Sequence, residues 1–348
     1  MEKVGIMTFH WATNYGAVLQ AYALQTFLQQ NGFETEIINY LPIQTMMLRK
    51  IGWIKNGEFD AIKKERAIQR FRKKHLHVSA AKFRSYKALC SAAEQYCTIL
   101  TGSDQVMNFS FLRYAELRRI TPSYYLSFAG EHTQKISYAA SFGTDRIPDM
   151  YVDFVRKELA SFCWVSVREE SACAMLKNIG IDSEAVVDPT ILIAKEIYAP
   201  LLNGENTGRN GTFSYILHKN QVEAHKYERK MYEIFGKKQV IAEDFSVENW
   251  LNNIRNSSFV ITNSFHATVF ALLFHTPFIT VSVAGSNMDN RLMTLLKIVG
   301  MEDHFVKSYD DSIAEALALR YVDWDEVDVK LSVARAHSQH RLLNMLTN

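Results

Sequence analysis

Short apolar segments alternate with longer amphipathic segments along almost the whole chain. Val4–Phe9 has the composition of a buried strand, residues 14–32 have the spacing of a helix that ends at Gly32, and residues 35–41 again resemble a strand. A glycine just beyond a periodic segment commonly ends a helix. A strand, a helix and a second strand in succession predict a parallel sheet covered by helices.

The same alternation continues in two blocks with a polar segment between them. Strands are predicted at 96–104, 135–143, 164–168 and 184–188 in the first block, and at 212–217, 239–242, 258–262 and 278–281 in the second. The stretch NGENTGRNG makes residues 190–210 a predicted linker. We therefore predict an α/β fold of two Rossmann-like domains facing a cleft, 1–190 and 191–325, followed by a C-terminal helix over 326–348. In such folds ligands bind outside the carboxyl ends of the strands.

One segment, from about residue 46 to residue 77, interrupts this alternation. Between Arg49 and Lys74 it carries ten Lys or Arg residues against three Asp or Glu residues, a local excess of seven positive charges. Its apolar positions recur at helical spacing, at Met47, Ile51, Ile54 and Ile62. The pattern predicts helices inserted into the first domain. Their basic face is either solvated or in contact with an anionic acceptor or a membrane surface, to which Trp53 and Phe59 would contribute.

Composition narrows the class of protein without identifying it. With 348 residues, of which 48% are apolar and 22% charged, the chain is long enough for two domains with cores and is typical of a globular protein. The net charge of +2 carries no signature of a nucleic-acid-binding protein, and no long apolar window predicts a membrane-spanning helix. Four cysteines without a C-x-x-C pair predict buried free thiols in a reducing compartment. No secretory signal is visible, so we expect a cytoplasmic protein.

Three common motifs of nucleotide and hydrolase chemistry do not occur in the sequence. There is no G-x-G-x-x-G dinucleotide loop, no G-x-x-x-x-G-K-[ST] phosphate loop and no G-x-S-x-G nucleophile elbow. His75 and His77 lie in the basic segment without carboxylates or thiols at metal-ligand spacing, so no metal site is predicted there. Candidate chemistry must therefore come from residues at the ends of strands and helices.

The stretch TNSFHATVF sets a histidine at the junction between a predicted strand and a predicted helix. Asn263 or Ser264 can cap the helix, which places His266 in its first turn. Free backbone N–H groups and the helix dipole make such a turn favourable for an anion. A bound phosphate would favour a protonated imidazole, so His266 can become a proton donor when an anionic ligand arrives. The same position also suits a partly buried histidine that is bonded to a carbonyl oxygen.

Two arginines occupy similar positions at the ends of elements. Arg168 ends the strand VSVR, and Arg291 opens a helix directly after Asn290. Guanidinium groups are preferred planar partners of phosphate and carboxylate. Taken singly, each arginine is better explained by a surface ion pair with a neighbouring acidic residue. Taken together with His266, they favour an anionic ligand.

Two further polar loops follow predicted strands of the first domain. The loop after the first strand and the loop in TGSDQVMN carry side chains that could hold sugar hydroxyls or a phosphate. These residues are Thr13, Asn14, Tyr15 and Gly16 in the first loop and Ser103, Asp104, Gln105 and Asn108 in the second. A capped helix and a tight turn would explain the same residues without a ligand.

Six fragments of the sequence occur together in a characteristic order: MTFHWATNYGAVLQAYAL, TGSDQVMN, VSVREESA, DPT, TNSFHATVFALLFHTPFI and NRLMTLL. In this order they resemble the polysaccharide pyruvyl transferases, and the resemblance spans residues 3 to about 300. It implies a fold similar to that of the glycosyltransferase B enzymes. It also implies transfer of the enolpyruvyl carbons of phosphoenolpyruvate to a sugar, which forms a pyruvate ketal and releases phosphate. Ser264 stands where some members carry an arginine.

The resemblance further implies roles for the candidate residues. His266 and Arg168 would act in catalysis. The donor phosphoenolpyruvate would be bound by Arg168, Asn263, Ser264, His266, Asn290 and Arg291, and the acceptor by Thr13, Asn14, Tyr15, Gly16, Ser103, Asp104, Gln105 and Asn108. The first domain would then serve the acceptor and the second the donor phosphate.

The expected partners follow from the same resemblance. The acceptor would be a sugar or a lipid-linked oligosaccharide of a cell-surface polysaccharide, with no cofactor, no metal and no nucleic acid involved. A lipid-linked acceptor would bring the protein into peripheral contact with the inner face of the membrane. The acceptor sugar, the stereochemistry of the ketal and the oligomeric state are left open by the sequence.

Two other functions fit the same residues. Nucleotide-sugar-dependent glycosyltransferases of the retaining type often carry two glutamates separated by seven residues, and no such pair occurs in the chain. A non-catalytic homologue would bind a sugar phosphate without turnover, against which the presence of His266, Arg168 and Arg291 argues. In a transferase, Asp104 or Asp188 could accept the hydroxyl proton of the acceptor.

Overall fold

The computed structural model describes residues 3–41, 43–91, 93–109, 122–202, 208–217, 221–240, 244–283 and 289–347, without the side chains of residues 43–45. The chain divides into two compact units. The first comprises Met1–Ile193 together with Ala336–Asn348, and the second comprises Ala194–Arg335. Each unit contains a parallel sheet with helices between its strands, which confirms the predicted α/β class.

The first unit contains a six-stranded sheet. Its strands are β1 (Lys3–Met7), β2 (Glu34–Ile37), β3 (Thr98–Asp104), β4 (Gln134–Ala140), β5 (Trp164–Val167) and β6 (Glu184–Ala185). Its described helices are α1 (Tyr15–Gln30), α2 (Ile43–Lys55), α3 (Phe59–His75), α4 (Tyr86–Cys90), α5 (Val152–Leu159), α6 (Glu170–Lys177) and α7 (Pro189–Leu192). Apolar residues from both faces of the strands are buried, as expected for parallel strands between helices.

The order of the strands places a ligand-binding edge in the first unit. The sheet runs β2-β1-β3-β4-β5-β6, and its paired strands are parallel. Within it Ile6 of β1 is paired with Ile37 of β2, and Met7 of β1 with Thr101 of β3. The direction of chain progression therefore reverses between β1 and β3. Doubly wound sheets bind ligands outside the carboxyl ends of the strands at such a reversal.

The second unit contains a smaller sheet in the order β10-β9-β8-β7. Its strands are β7 (Thr212–Tyr215), β8 (Phe259–Thr262), β9 (Phe278–Val281) and β10 (Phe305–Val306). Its described helices are α8 (Val222–Phe235), α9 (Val247–Arg255), α10 (Phe265–Leu273), α11 (Asp289–Val299) and α12 (Asp311–Ala318), and a last helix, α13 (Trp324–Thr347), ends the chain. Phe259, Ile261 and Ile279 are fully buried in its core.

The predicted linker over 190–210 contains the boundary between the two units, but its first half forms short helices. Residues 189–192 form α7 and residues 195–201 form a 3-10 helix, in which Tyr198 and Leu201 are buried. Burial of these two apolar side chains offsets the conformational entropy lost on ordering the segment. The polar stretch that indicated a linker includes residues 203–207, which lie outside the described residues.

Other boundaries also differ from the prediction. Gln239 and Val240 of the predicted strand 239–242 are not in a strand, and residues 241 and 242 lie outside the described part of the chain. The two-residue strand β10 is too short to leave a periodic pattern. The units divide after Ile193 rather than after residue 190, and α13 begins at Trp324 rather than at 326. The end of α13 belongs to the first unit instead of forming a separate part.

The prediction for the cysteines is half confirmed. All four are free thiols, but Cys90, Cys97 and Cys163 are exposed and Cys173 is half-buried. Their burial was inferred from the residue type alone, which ranks cysteine among the most buried side chains. Within the described residues, no helix combines the length and the apolar character needed to cross a bilayer.

Candidate functional site

The carboxyl ends of β1 and β3 carry a connected set of buried polar side chains in the first unit. Gln20 of α1 is fully buried, and its Nε2 donates to Thr8 Oγ1 over 2.8 Å while its Oε1 accepts from the backbone N of Ser103 over 3.1 Å. The Ser103 hydroxyl oxygen lies 2.9 Å from the carbonyl oxygen of Ala139. These contacts make Gln20 the link that holds the ends of β1 and β3 together.

The loop after β3 forms a compact polar turn. The Asp104 carboxylate accepts from the backbone N of Gln105 over 2.8 Å, and the Asn108 amide donates to Gln105 Oε1 over 2.7 Å. Gly143, which follows β4, has φ of +63°, and a Cβ atom there would stand 2.5 Å from Asn108 Nδ2. Glycine is therefore required where the β4 loop meets this turn. The turn explanation of these residues is correct, and they also lie at the strand edge where ligands are expected.

The loop after β1 is held by the inserted helices. Thr13 donates its hydroxyl to the Glu65 carboxylate of α3. Asn14 caps α1, since its side chain accepts from the backbone N of Ala17 over 3.2 Å. Tyr15 is buried, and the Lys64 ammonium lies 4.1 Å from the centre of its ring. Burial lowers the pKa of Lys64 to about 8, so this lysine is poised to lose its proton more readily than a surface lysine. Gly16 lies in the first turn of α1, next to this contact.

A buried ion pair fixes Arg168 at the end of β5. The backbone N of Arg168 donates to the carbonyl oxygen of Ala140 over 3.2 Å, and Arg168 Nη1 donates to Asp188 Oδ2 over 2.9 Å. Asp188 Oδ2 also accepts from the Ser103 hydroxyl over 2.9 Å, while Asp188 Oδ1 accepts from the backbone N and hydroxyl of Thr190. The expected surface pair with a neighbouring glutamate is therefore wrong, because Arg168 is buried and its partner comes from the start of α7.

The acidic groups around Arg168 keep it charged. Burial by itself would lower the pKa of the guanidinium, but the negative charges of Asp188, Glu169 and Asp104 outweigh it and raise that pKa above its ordinary value. Asp188 is committed to Arg168, Ser103 and Thr190 and is almost fully buried. These contacts make Asp188 the residue that holds Arg168 in place, and its role as a base stays a prediction.

A second histidine, which the sequence analysis missed, lies at the same edge. His10 follows β1, is 3% exposed, and its Nδ1 lies 3.2 Å from the carbonyl oxygen of Thr8. Since a carbonyl only accepts, Nδ1 carries the hydrogen and Nε2 carries the lone pair. Burial and the charge of Arg72 lower the pKa of His10 to about 4, and hydrogen bonds of the imidazole with the Thr8 backbone and the Asn39 side chain oppose this shift. Its place in HWATNYG, directly after the first strand, is the signal that could have found it.

In the second unit, β8 delivers His266 to the start of a buried helix. Ser264 is the N-cap of α10, and its side chain accepts from the backbone N of Ala267. His266 is the second residue of this helix and is 8% exposed. Phe265 packs edge-on against the imidazole, with 5.2 Å between the ring centres. The predicted strand, cap and first-turn histidine are all present.

The neighbouring Asn263 has a structural task. Its Oδ1 accepts from the backbone N of Leu217 over 2.6 Å, and its Nδ2 donates to the carbonyl oxygen of Leu217 over 2.8 Å. The pair of bonds joins the end of β8 to the segment that follows β7. The backbone N of Ser264 donates to the Thr262 hydroxyl over 2.9 Å.

Arg291 occupies the first turn of the next helix along the sheet. α11 begins at Asp289, and Arg291 is 8% exposed while Asn290 is half-buried. The Asp289 carboxylate accepts from the Ser282 hydroxyl, which follows β9, over 2.7 Å. The expected simple explanation of Arg291 as a surface residue is wrong, because the side chain is buried.

The structure brings His266 and Arg291 to the same edge of one sheet. β8 and β9 are parallel neighbours, and each is followed by a helix whose first turn carries one of the two residues. α10 and α11 contact each other. Helix N-termini offer unpaired N–H groups and positive dipole ends, so two of them with an imidazole and a guanidinium form an arrangement suited to an anion. Arg168 belongs to the other unit.

The second unit also contains a cavity of about 560 Å³ at the opposite, amino end of β7 and the end of α9. Lys238 lines it and donates to the Asn210 side chain and to the Asn256 carbonyl oxygen. The cavity lies away from the strand ends that carry His266 and Arg291. In the part of the chain that the structure describes, no group of three His, Cys, Asp or Glu side chains is placed to hold a metal ion.

Solved structures with a similar backbone define the class of fold. A glycosyltransferase from Rickettsia africae has a TM-score of 0.53 and 10% identity, with 100% of this chain and 99% of that one covered. S. aureus MnaA, solved with UDP, has a TM-score of 0.53 and 10% identity over 99% and 96% of the two chains. A UDP-GlcNAc 2-epimerase from Neisseria meningitidis, bound to UDP-GlcNAc, has a TM-score of 0.50 and 10% identity over 99% of each chain. The fold is that of the glycosyltransferase B class, as the resemblance implied.

The family is given by the sequence itself. The sequence model of the polysaccharide pyruvyl transferase family matches residues 14–285. The chain belongs to this family of transferases, and the resemblance found in its ordered fragments is confirmed. A search of curated protein sequences finds no significant match.

Proposed function

We propose that the protein transfers the enolpyruvyl group of phosphoenolpyruvate to a sugar of a cell-surface polysaccharide or its precursor. The observation that carries the proposal is the pair of buried basic side chains, His266 and Arg291, in the first turns of two contacting helices at one sheet edge. Phosphoenolpyruvate carries a phosphate and a carboxylate, so a donor site needs clustered positive charge. Membership of the family supports the same donor.

The proposed reaction assigns a task to each basic group. A proton is delivered to the methylene carbon of phosphoenolpyruvate, which leaves an oxocarbenium-like centre at the carbon that bears the phosphate. One sugar hydroxyl adds to this centre, a second hydroxyl of the same sugar displaces phosphate, and both hydroxyl protons are released. His266 is proposed as the proton donor or as a phosphate ligand, with Arg291, Asn290 and Ser264 at the phosphate. The reaction needs no cofactor besides the donor substrate.

Arg168 is proposed as a third basic group for the donor, as the family resemblance implies. Its guanidinium is held by Asp188 and kept charged by the surrounding carboxylates, which supports a role as a pre-oriented cation. The loops after β1 and β3 stand at the reversal of strand order and are proposed to bind the acceptor. An acceptor linked to lipid would place the reaction in the cytoplasm at the inner face of the membrane.

The test measures phosphate release from phosphoenolpyruvate across a panel of cell-wall and capsule sugars, with wild type, His266→Ala and His225→Ala. His225 lies exposed in the same unit and is the matched control. We expect His266→Ala to lower kcat by about 100-fold or more if it donates the proton, and to weaken donor affinity with less effect on kcat if it only binds phosphate. His225→Ala should leave both constants unchanged.

Thermal unfolding with ligands separates this function from its alternatives. Phosphoenolpyruvate should raise the Tm, because a ligand that binds only the native state stabilises it. A rise with a nucleotide sugar and none with phosphoenolpyruvate would instead favour a glycosyltransferase, a class represented among proteins of similar fold. A rise with phosphoenolpyruvate but no phosphate release with any sugar would favour a non-catalytic homologue.

A further inference from the structure

The helix α2 presents apolar side chains to solvent. Its outward positions are 45% to 64% exposed, at Met47, Leu48, Ile51 and Ile54. These positions recur at the spacing of one helical face. Soluble proteins tolerate single exposed apolar residues, but a contiguous face of large ones marks a surface that binds something.

The opposite face of α2 makes the contacts with the body of the first unit. Met46 packs against the core, and the Arg49 guanidinium lies 5.6 Å from the ring centre of Trp11 and 5.0 Å from that of Trp53. Arg49 also lies 3.8 Å from the Glu65 carboxylate. The helix thus turns an arginine inward and its aliphatic residues outward, which is the reverse of an ordinary surface helix.

Exposed basic side chains accompany this apolar face on α2 and α3. Lys50 and Lys55 are exposed on α2 itself. Phe59, at the start of α3, is 65% exposed, and the solvent face of α3 continues with exposed basic residues. These are Arg66, Arg70, Lys73 and Lys74. An exposed apolar face bordered by Lys and Arg is the composition of helices that lie in the interface of an anionic membrane.

We propose that α2 and the start of α3, residues 43–59, dock the protein on an anionic lipid surface. The apolar side chains of α2 and Phe59 enter the boundary between headgroups and acyl chains, while the lysines beside them meet lipid phosphates. A second copy of the chain suits this face less well. A symmetric contact between two α2 helices would bring Lys50 and Lys55 of one copy close to the same lysines of the other.

The attachment of the helices makes the docking surface rigid enough to orient the protein. Glu65 of α3 is 3% exposed and accepts from Gln69 and Arg72. Arg72 donates in turn to the carbonyl oxygen of Ala12 over 2.6 Å, in the loop after β1. The same contacts therefore connect the proposed membrane surface to the loop proposed to bind the acceptor. The docking itself does not depend on the donor chemistry.

The test is sedimentation of the full chain with vesicles, without any substrate. We expect binding to vesicles that contain roughly 30% phosphatidylglycerol to be about tenfold stronger than binding to phosphatidylcholine alone. The double variant Ile51→Glu with Ile54→Glu should lose this binding. The matched control, Val329→Glu with Val333→Glu, changes two exposed valines on α13, which are 61% and 66% exposed, and should bind as wild type does.

Three results would overturn the proposal. The first is no binding of wild type to anionic vesicles at low salt, and the second is equal loss of binding in both double variants. The third is a wild-type dimer that Ile51→Glu with Ile54→Glu converts to a monomer without any vesicle binding in either form, which would assign the face to a second copy. Circular dichroism of each variant checks whether the fold is intact. When the spectrum matches that of wild type, a loss of vesicle binding can be attributed to the changed surface.

Discussion

Arg168 and His10 are buried ionisable side chains at one sheet edge, and the first is charged while the second is neutral. Arg168 stays charged because Asp188 and two nearby carboxylates outweigh its desolvation. His10 stays neutral because burial is reinforced by the positive charge of Arg72. Such opposed shifts within one edge are common where groups are arranged for chemistry. Because the pKa of His10 is shifted within an accessible range, the environment of His10 can be tested by changing the pH.

The state of His10 predicts a pH dependence of stability. Below pH 6.5 the unfolded chain takes up a proton on this imidazole, whereas the folded chain does so only near pH 4. The contribution of His10 to the free energy of unfolding should therefore be fully present above pH 6.5 and fall by about 3 kcal/mol as the pH drops to about 4. Urea unfolding at about pH 7.5 and pH 4 should show a smaller loss in His10→Gln than in wild type.

The control for this measurement is His225→Gln, since His225 is exposed. It should lose as much stability on acidification as wild type does. His304 is also buried with a lowered pKa. It is present in every variant, so its contribution to the acid loss cancels when variants are compared. An identical acid loss in His10→Gln and wild type would mean that the folded His10 takes up its proton at an ordinary pH.

At the scale of elements, the inserted helices depend on one carboxylate. The Glu65 carboxylate accepts a hydrogen bond from Arg72 over 3.2 Å and lies 3.8 Å from the Arg49 guanidinium. It also accepts a hydrogen bond from the Thr13 hydroxyl. It thereby joins α2, α3 and the loop after β1. Removing one partner of a buried ionic group is costly because the others keep their charge without compensation.

Glu65→Ala should consequently lower the free energy of unfolding by about 3–5 kcal/mol. Asp60→Ala is the matched control on the same helix. The Asp60 side chain is 76% exposed and lies 3.9 Å from the Lys63 ammonium. Exposed ion pairs of this kind contribute about 0–1 kcal/mol to stability. Limited proteolysis should cut Glu65→Ala faster within residues 43–75, because α2 and α3 lose their anchor. Similar costs for the two substitutions would show that Arg49 and Arg72 find other partners.

At the scale of the whole molecule, two cores are built from separate parts of the chain. Ile99 is fully buried in a core of the first unit, and Ile261 is fully buried in a core of the second. The first compact unit is interrupted after Ile193 and resumes at Ala336, and the second unit comprises Ala194–Arg335. Separate cores allow one unit to open without the other.

Hydrogen exchange can test this division. Ile261→Ala and Ile99→Ala each remove buried methyl and methylene groups and should each cost about 2–5 kcal/mol. We expect Ile261→Ala to speed exchange mainly in residues 194–335 and Ile99→Ala mainly in residues 1–193. Equal acceleration throughout the chain in either variant would mean that the two units unfold as one.

Much of the fold was predictable because it depends on local patterns. The spacing of apolar residues located β8, α10 and β9 to within a few residues, and a polar residue before a helix located the Ser264 cap. The sequence did not predict the 3-10 helix over residues 195–201, in which Tyr198 and Leu201 are buried and Tyr198 packs against Phe270. Burial of a residue in a polar segment is a tertiary event that a local pattern does not contain.

The sequence by itself determined the class of fold, the family and the positions of His266, Arg168 and Arg291 at element ends, since these follow from periodicity and from ordered motifs. Only the tertiary structure decided what surrounds those residues. It gave Arg168 a buried partner in Asp188, buried His10 near the charge of Arg72, and turned the apolar residues of α2 outward. The reason is physical: charge state and exposure depend on the atoms within a few ångströms, and most of these come from distant parts of the chain.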